Sequence, residues 1–297
     1  MGQDMDGKIA LIEAGGTKFI VAVGDDARKI HARTRIETTH PEKTIAAAIE
    51  WLQQQGGDYD AVGIASFGPL DLDPASPKWG HITRTTKPYW NDADIAGPFS
   101  HAFGCWVGID TDVNGAALAE WTWGAGQGVN SALYLTVGTG IGGGAVVGGR
   151  LVRGLSHPEM GHIRVPRHPG DTYFAGHCPF HGDCLEGLAC GPSIIARWGA
   201  SLSDLAADHP GHDIIAWYLA QAVQSFQAIF EPARIIMGGG VMATPGLIQR
   251  VKTHAAEGGA GYFAGDPAEI IVPPALGEDS GLLGALALVC DRPSEPE

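Results

Sequence analysis

Short β-branched runs alternate along the chain with glycine-rich turns and longer stretches of helical spacing. Residues 8–12 and 19–24 read as two strands, with Glu13-Ala-Gly-Gly-Thr-Lys18 as the tight turn between them. The same unit recurs. Residues 132–137 form a strand pattern, Gly138-Thr-Gly-Ile-Gly-Gly-Gly144 follows, and residues 145–150 make a second strand. That recurrence predicts two related lobes. Between the two units, residues 44–52 and 116–120 carry helical spacing, and residues 59–67 read as a buried strand. Further on, residues 213–230 predict a long helix, and residues 234–237 a short strand that runs into Gly238-Gly239-Gly240. Residues 270–272 predict a last strand. Residues 281–289 predict a terminal helix, capped by Asp279 or Ser280, whose small residues allow close packing on another element. The fold class expected is mixed α/β.

Composition narrows the function. The 297 residues carry 44% apolar and 18% charged side chains, so the chain is globular rather than disordered. A formal charge of −14, with no basic run, argues against a nucleic-acid-binding surface. No apolar stretch is long enough to span a membrane, and Met1-Gly-Gln-Asp-Met-Asp6 lacks the basic head and apolar core of a signal peptide, so a cytoplasmic location is expected. Glycine, at 44 residues, stands at about twice its usual share without a collagen period, which points to many tight turns. Five cysteines are an odd number. Two of them, Cys178 and Cys184, crowd one histidine-containing segment, which suits a metal better than a disulfide framework.

The glycine turns limit the candidate chemistry. Gly138-x-Gly140-x-x-Gly143 satisfies the dinucleotide fingerprint literally, but a strand follows it where that motif requires a helix. Gly16-Thr17-Lys18 is not a P-loop either, because no glycine stands five residues before Gly16. What a glycine turn between strands does offer is backbone N–H groups that approach a phosphate oxygen, with Thr17 and Thr139 adding hydroxyl donors. One such turn reads as a plain hairpin connection; two equivalent turns plus Gly238-Gly239-Gly240 favour phosphate binding.

The sequence resembles the ROK (repressor, open reading frame, kinase) family of sugar kinases over nearly its whole length. The residues that carry the resemblance are Glu13-Ala-Gly-Gly-Thr-Lys18, Thr111-Asp112-Val-Asn114-Gly-Ala-Ala117, Val137-Gly-Thr-Gly-Ile-Gly-Gly-Gly144, Pro158-Glu-Met-Gly-His162, Cys178-Pro-Phe-His-Gly-Asp-Cys184-Leu-Glu186 and Ile235-Ile-Met-Gly-Gly-Gly240. It implies a two-lobed, actin-like (ribonuclease H-like) ATPase fold with a zinc-binding loop. An N-terminal lobe is expected over residues 1–112, rejoined by the terminal helix 279–297, and a C-terminal lobe over 113–278 with the zinc loop at 162–186. Lobes of this kind close on ATP and a sugar. Gly15, Gly16, Thr17, Lys18, Gly138, Thr139 and Gly140 are then expected to grip the phosphates, with Gly238, Gly239 and Gly240 near the adenosine.

Phosphoryl transfer to a sugar hydroxyl needs a carboxylate to take the proton, magnesium to spread phosphate charge, and donors that align the reactants. The resemblance makes Asp112 that base; locally it also reads as a helix N-cap, and the two roles are compatible. Glu159 and His162, three apart and able to share a helix face, are expected on the sugar hydroxyls with Glu186 and the close-approaching Gly68. Cys178-x-x-His181-x-x-Cys184 with His162 upstream supplies two thiolates and two imidazoles, a closed tetrahedral set for structural zinc. His177 is an alternative to His181, and His157 or His168 to His162. Glu13 stands where much of the family has Asp for handling magnesium, and reaches about one methylene further.

Several details resemble the fructokinase branch, so the expected activity is ATP-dependent phosphorylation of fructose to fructose 6-phosphate, in a homodimer. The alternatives are a kinase for mannose, glucose or an N-acetyl sugar, and a non-catalytic sugar-binding protein. The family's repressors carry a helix-turn-helix ahead of the kinase-like part, and with the first glycine loop beginning at Glu13 that reading is not expected.

Overall fold

The computed structural model describes residues 7–291, so residues 292–297 of the expected terminal helix lie outside the described residues. The first antiparallel pair forms as the pattern requires: β1 (Ile9–Ala14) and β2 (Lys18–Gly24) pair from Ile9↔Gly24 to Ala14↔Phe19. A third strand, β3 (Ile30–Glu37), was not expected. It pairs antiparallel with β2 and alternates half-buried and exposed positions, as an edge strand does. Helix α1 (Pro41–Gln54) begins with proline at its first position, where no N–H is needed, and buries Ile45, Ala48 and Leu52. Strand β4 (Ala61–Ser66) is buried throughout. After α2 (Gly97–Phe103) comes β5 (Trp106–Thr111), and the chain turns directly into α3 (Asp112–Trp123). Strands β4 and β5 run parallel to β1, giving the order β3-β2-β1-β4-β5.

The second half repeats that plan. Strands β6 (Ser131–Val137), β7 (Ile141–Val147) and β8 (Arg150–Leu151) form the antiparallel part. The second strand of this hairpin begins at Ile141 rather than at residue 145, because Gly142, Gly143 and Gly144 pair in the ladder instead of belonging to the turn. Short helices α4 (Leu185–Ala189) and α5 (Gly191–Trp198) precede the long α6 (Gly211–Phe230). Ile215, Tyr218, Leu219, Ala222, Val223 and Phe226 are all buried on α6, the three-and-four spacing of a core-facing stripe. Then come β9 (Arg234–Gly238), α7 (Leu247–Gly259), α8 (Pro267–Ile270), β10 (Ile271–Val272) and α9 (Ser280–Cys290). The second sheet has the order β10-β9-β6-β7-β8, with β9 parallel to β6 and β10 parallel to β9. Read from its antiparallel edge it is β8-β7-β6-β9-β10, strand for strand the arrangement of the first sheet.

The chain divides into two compact units. One takes residues up to Thr122, the segment Arg153–His157 and the residues from Leu276 onward; the other takes Trp123–Val152 and Pro158–Ala275. In the first, a core built on Ile12, Phe19, Leu52, Ile64, Trp90 and Phe99 fills one face of the sheet. Helix α9 packs against β4, β1 and β5 of that sheet. Its approach is close because two glycines of the sheet allow it: a Cβ on Gly63 would lie 2.1 Å from the carbonyl oxygen of Ala285, and one on Gly108 would lie 2.6 Å from that of Leu288. Gly115 and Gly284 meet in the same way on α3 and α9. In the second unit the core gathers around Leu133, Leu135, Leu188, Tyr218, Phe226 and Ile235. Among the described residues no helix is long and apolar enough to cross a membrane.

Candidate active site

In the first unit, three neighbouring parallel strands end together, with Ala14, Ser66 and Thr111 in register. Chemistry-bearing residues cluster at those carboxyl ends, the usual position for ligands on an open α/β sheet. Glu13 is the penultimate residue of β1, Gly68 lies two residues beyond β4, and Asp112 follows β5. Asp112 opens α3 and its Oδ1 accepts from the Val113 N–H at 2.9 Å, so the side chain does serve the helix N-terminus. Its carboxylate is reachable by solvent but crowded by protein, and this desolvation pushes its pKa up to about 6, with the negative charge of Glu13 adding to the effect and the Val113 bond opposing it. Burial likewise raises Glu13, while Lys18 lowers it. Gly281 makes room for that carboxylate: a Cβ there would come within 2.2–2.7 Å of its atoms.

The turn between β1 and β2 is closed by Gly15 N–H donating to the Lys18 carbonyl at 2.9 Å. Thr38 fixes it from outside, its hydroxyl donating to the Gly15 carbonyl at 2.8 Å and its N–H to the Thr17 carbonyl at 3.1 Å.

Beside Asp112 lies a network the sequence reading missed. Asp110, fully buried, accepts through Oδ1 from the Thr111 N–H and from Asn114 Nδ2, both at 2.7 Å. Its Oδ2 accepts from Arg153 Nε at 2.9 Å and Nη2 at 2.6 Å. Asn114 is therefore held by its amide nitrogen while its Oδ1, also buried, has no partner among the described residues. The segment containing Arg153 is fixed further along, where Ser156 Oγ donates to the Leu70 carbonyl at 2.6 Å and the Leu70 N–H donates to His157 Nε2 at 2.9 Å. The His157 ring lies 3.4 Å from where a Gly68 Cβ would stand, an ordinary contact distance, so His157 borders Gly68 without itself requiring glycine there.

In the second unit the Gly138–Gly140 turn and the Gly238–Gly240 turn come together. The strand β9 leads to the latter beside β6, and Gly240 N lies 3.8 Å from where a Cβ on Gly138 would be. Gly239 has φ +93° and would drive a Cβ to 2.4 Å from the Val137 carbonyl, so the turn requires glycine. Glu186, in the first turn of α4, accepts from the Ile141 N–H at 3.0 Å through Oε2. Glu159 and His162 do not share an α-helix face: residues Met160–His162 make a single 3₁₀ turn that Glu159 precedes. Their facing survives, with His162 Nε2 3.9 Å from Glu159 Oε2.

His162, Cys178, His181 and Cys184 converge, each offering one ligand atom with all four inside 4.8 Å of one another. His162 Nδ1 lies 3.5 Å from Cys184 Sγ and 3.8 Å from Cys178 Sγ, and His181 Nδ1 lies 3.7 Å from Cys178 Sγ. Tetrahedral zinc with S and N ligands places neighbouring ligand atoms about 3.3–3.8 Å apart, so these residues fit that ion. His157 Nε2 accepts from the Leu70 N–H and His168 Nδ1 from the Gly170 N–H, and His162 is the upstream histidine of the cluster. Burial pushes the Cys184 thiol up to about 11, with Cys178 and Glu186 adding to it. A bound cation reverses that preference, since a coordinating thiol is deprotonated.

The sequence matches the ROK family over residues 9–292. The chain belongs to the ROK family. It is 50% identical over 284 residues to a fructokinase of Zymomonas mobilis, covering 93% of this chain and 94% of that one. Among solved structures it is similar to a ROK hexokinase from Thermus thermophilus (TM-score 0.77, 30% identity, 95% of this chain and 97% of that one). It is also similar to a ROK glucokinase from Streptomyces griseus in complex with glucose and AMPPNP (TM-score 0.71, 25% identity, 94% and 98%). The two-sheet ROK fold is thus the actin-like fold expected of the sequence. The repeated sheets explain why two glycine hairpins occur in one chain: each is the β1–β2 or β6–β7 turn of the same plan.

Proposed function

We propose that the chain is an ATP- and Mg²⁺-dependent fructokinase, transferring the γ-phosphoryl group of ATP to the 6-hydroxyl of D-fructose with Asp112 as general base. The observation that carries the sugar assignment is the 50% identity to the Zymomonas fructokinase, against 25–30% to the hexokinase and glucokinase that share the fold. Asp112 supports the chemistry. A carboxylate whose pKa stands near 6 is ionised at neutral pH yet basic enough to take a hydroxyl proton as the phosphorus–oxygen bond forms. Asn114 Oδ1, buried and without a partner, is the acceptor a second sugar hydroxyl would satisfy. Gly68, Glu159, His162 and Glu186 are the further sugar-contacting residues in this reading, because carboxylate and imidazole atoms match vicinal hydroxyls.

On the nucleotide side, Gly15, Gly16, Thr17 and Lys18, together with Gly138, Thr139 and Gly140, offer backbone and hydroxyl donors to the phosphates, and Gly238, Gly239 and Gly240 border the adenosine. Magnesium bound with ATP would spread phosphate charge, and Glu13, a half-buried carboxylate in the same unit as the base, suits it through water. Zinc on His162, Cys178, His181 and Cys184 would hold the loop 162–186; a closed four-ligand set leaves no coordination position for reactants. Five free cysteines, among them the cluster's two, suit a reducing cytoplasm. The homodimer rests on the family resemblance, and sedimentation that finds a monomer would remove it. Phosphorus-coupled NMR of the product decides the reaction itself: phosphate on the C6 oxygen of fructose is expected, and phosphate on C1 or no sugar phosphate contradicts the proposal.

A further inference from the structure

One residue, Ile141, meets both arms of the Cys/His cluster: one arm bonds its backbone N–H, and the other packs against its carbonyl. Ile141 opens β7 directly after Gly138-Thr139-Gly140. Its N–H donates to Glu186 Oε2 at 3.0 Å, and Glu186 stands two residues after Cys184. Its carbonyl lies against Gly161, the residue immediately before His162: a Cβ on Gly161 would sit 1.8 Å from that oxygen. Two neighbours tighten the fit. A Cβ on Gly140 would lie 2.7 Å from Glu186 Oε2, and one on Gly143 would lie 2.7 Å from the sulfur of Met160. Downstream of Glu186, the Gly191 N–H donates to the Gly138 carbonyl at 2.7 Å, and Ser193 Oγ donates to the Glu186 carbonyl at 3.0 Å.

These contacts form two short mechanical chains with a common end. Cys184 caps α4, its sulfur 3.5 Å from the Gly187 N–H, and so sets where the first turn of α4 carries Glu186. His162 ends the 3₁₀ turn that presents Gly161. A carboxylate on a backbone N–H is a charge-assisted bond, stronger than a neutral one. It engages Ile141 rather than Thr139 or Gly140, so the amides of the turn are left for an anion. A phosphate-binding turn gains affinity from being held in its bound shape beforehand, because less ordering remains to oppose binding.

We propose that Glu186 is a positioning residue for the phosphate hairpin, and that a cation on the Cys/His cluster governs nucleotide affinity through Glu186 and Gly161. This rests on the kinase reading above and gives the cluster a role beyond the sugar side. The test is the affinity of AMPPNP with magnesium and no sugar, by calorimetry, for zinc-loaded wild type, Glu186→Gln, Glu186→Ala and chelator-treated wild type, each checked for folding by circular dichroism. Glu186→Gln keeps an acceptor oxygen for the Ile141 N–H, so AMPPNP binds within about threefold of wild type, whereas Glu186→Ala and chelated protein each lose about tenfold. Should Glu186→Ala not fold, hydrogen exchange on wild type replaces it, and amide exchange in residues 138–142 must accelerate on chelation. Unchanged AMPPNP affinity in folded Glu186→Ala and chelated protein overturns the positioning role alone, as does unchanged exchange. Wild type that binds no AMPPNP overturns the kinase reading and this inference together.

Discussion

Asp112 combines two properties that pull against each other. Its folded pKa of about 6 stands above the ordinary 3.8, so between those values the folded protein binds more protons than the unfolded chain. Stability therefore falls as pH rises through that window, and at neutral pH the ionised Asp112 is a cost to the fold. Asp112→Asn keeps an acceptor for the Val113 N–H and removes the charge. The expected result is a fall in kcat of about 10²–10⁴ with a melting temperature equal to or above that of wild type, read by activity assay and calorimetry on the same preparation. A large drop in melting temperature would mean that Asp112 is structural. The same value predicts that kcat/KM declines about tenfold per pH unit below pH 6, through protonation of the base; a profile flat down to pH 5 would assign the base elsewhere. Asp110 is the opposite kind of carboxylate, buried and fully bonded. Arg153→Ala leaves its Oδ2 without the guanidinium and is expected to destabilise by about 1–3 kcal/mol, measured by urea unfolding. Asp112 is singled out by the sequence because a family motif surrounds it. Asp110 is not, because its partner Arg153 is distant in sequence and nothing local announces the pair.

Elements were legible where their own residues decide them. The β1–β2 and β6–β7 hairpins show β-branched runs on both sides of glycine, and the small residues of α9 announced its close packing. The contact is testable: Gly63→Ala would push a methyl group into the Ala285 carbonyl and is expected to cost about 1–3 kcal/mol, whereas Gly154→Ala, with nothing within 4 Å of the new Cβ, should be nearly neutral in the same urea titration. Elements that depend on distant partners were not legible. Strand β3 carries Arg33 and Arg35 on its exposed positions and is a strand because β2 offers it a partner. The turn after Glu159 is 3₁₀ rather than α over only three residues, and Gly161 within it meets Ile141 on another element. Asp279 precedes α9 but makes no side-chain cap; its Oδ1 instead accepts from Arg33 at 2.7 Å. Long-range ionic partners override a local cap that spacing alone suggests.

In the whole molecule one five-stranded plan is used twice, and each copy ends its parallel strands in residues of the proposed site: Glu13 and Asp112 in one unit, Gly238–Gly240 in the other. The first copy carries Asp112, the proposed base, and the second the Cys/His cluster, a division that sequence showed as a repeat of glycine turns but could not show as a repeat of sheets, because strand order is set by pairing rather than by pattern. Chelation should therefore act on the second unit first, with new proteolytic cleavage appearing within residues 162–186 before residues 7–122 are attacked; simultaneous loss of both would contradict separate cores. Fructose phosphorylation with Asp112 as base is decided by ADP formation from Mg·ATP with fructose, mannose, glucose and N-acetyl sugars as acceptors, with the Asp112→Asn protein in parallel. The highest kcat/KM is expected for fructose, with its loss in the variant. A preference for another hexose, or turnover that survives the substitution, would contradict it.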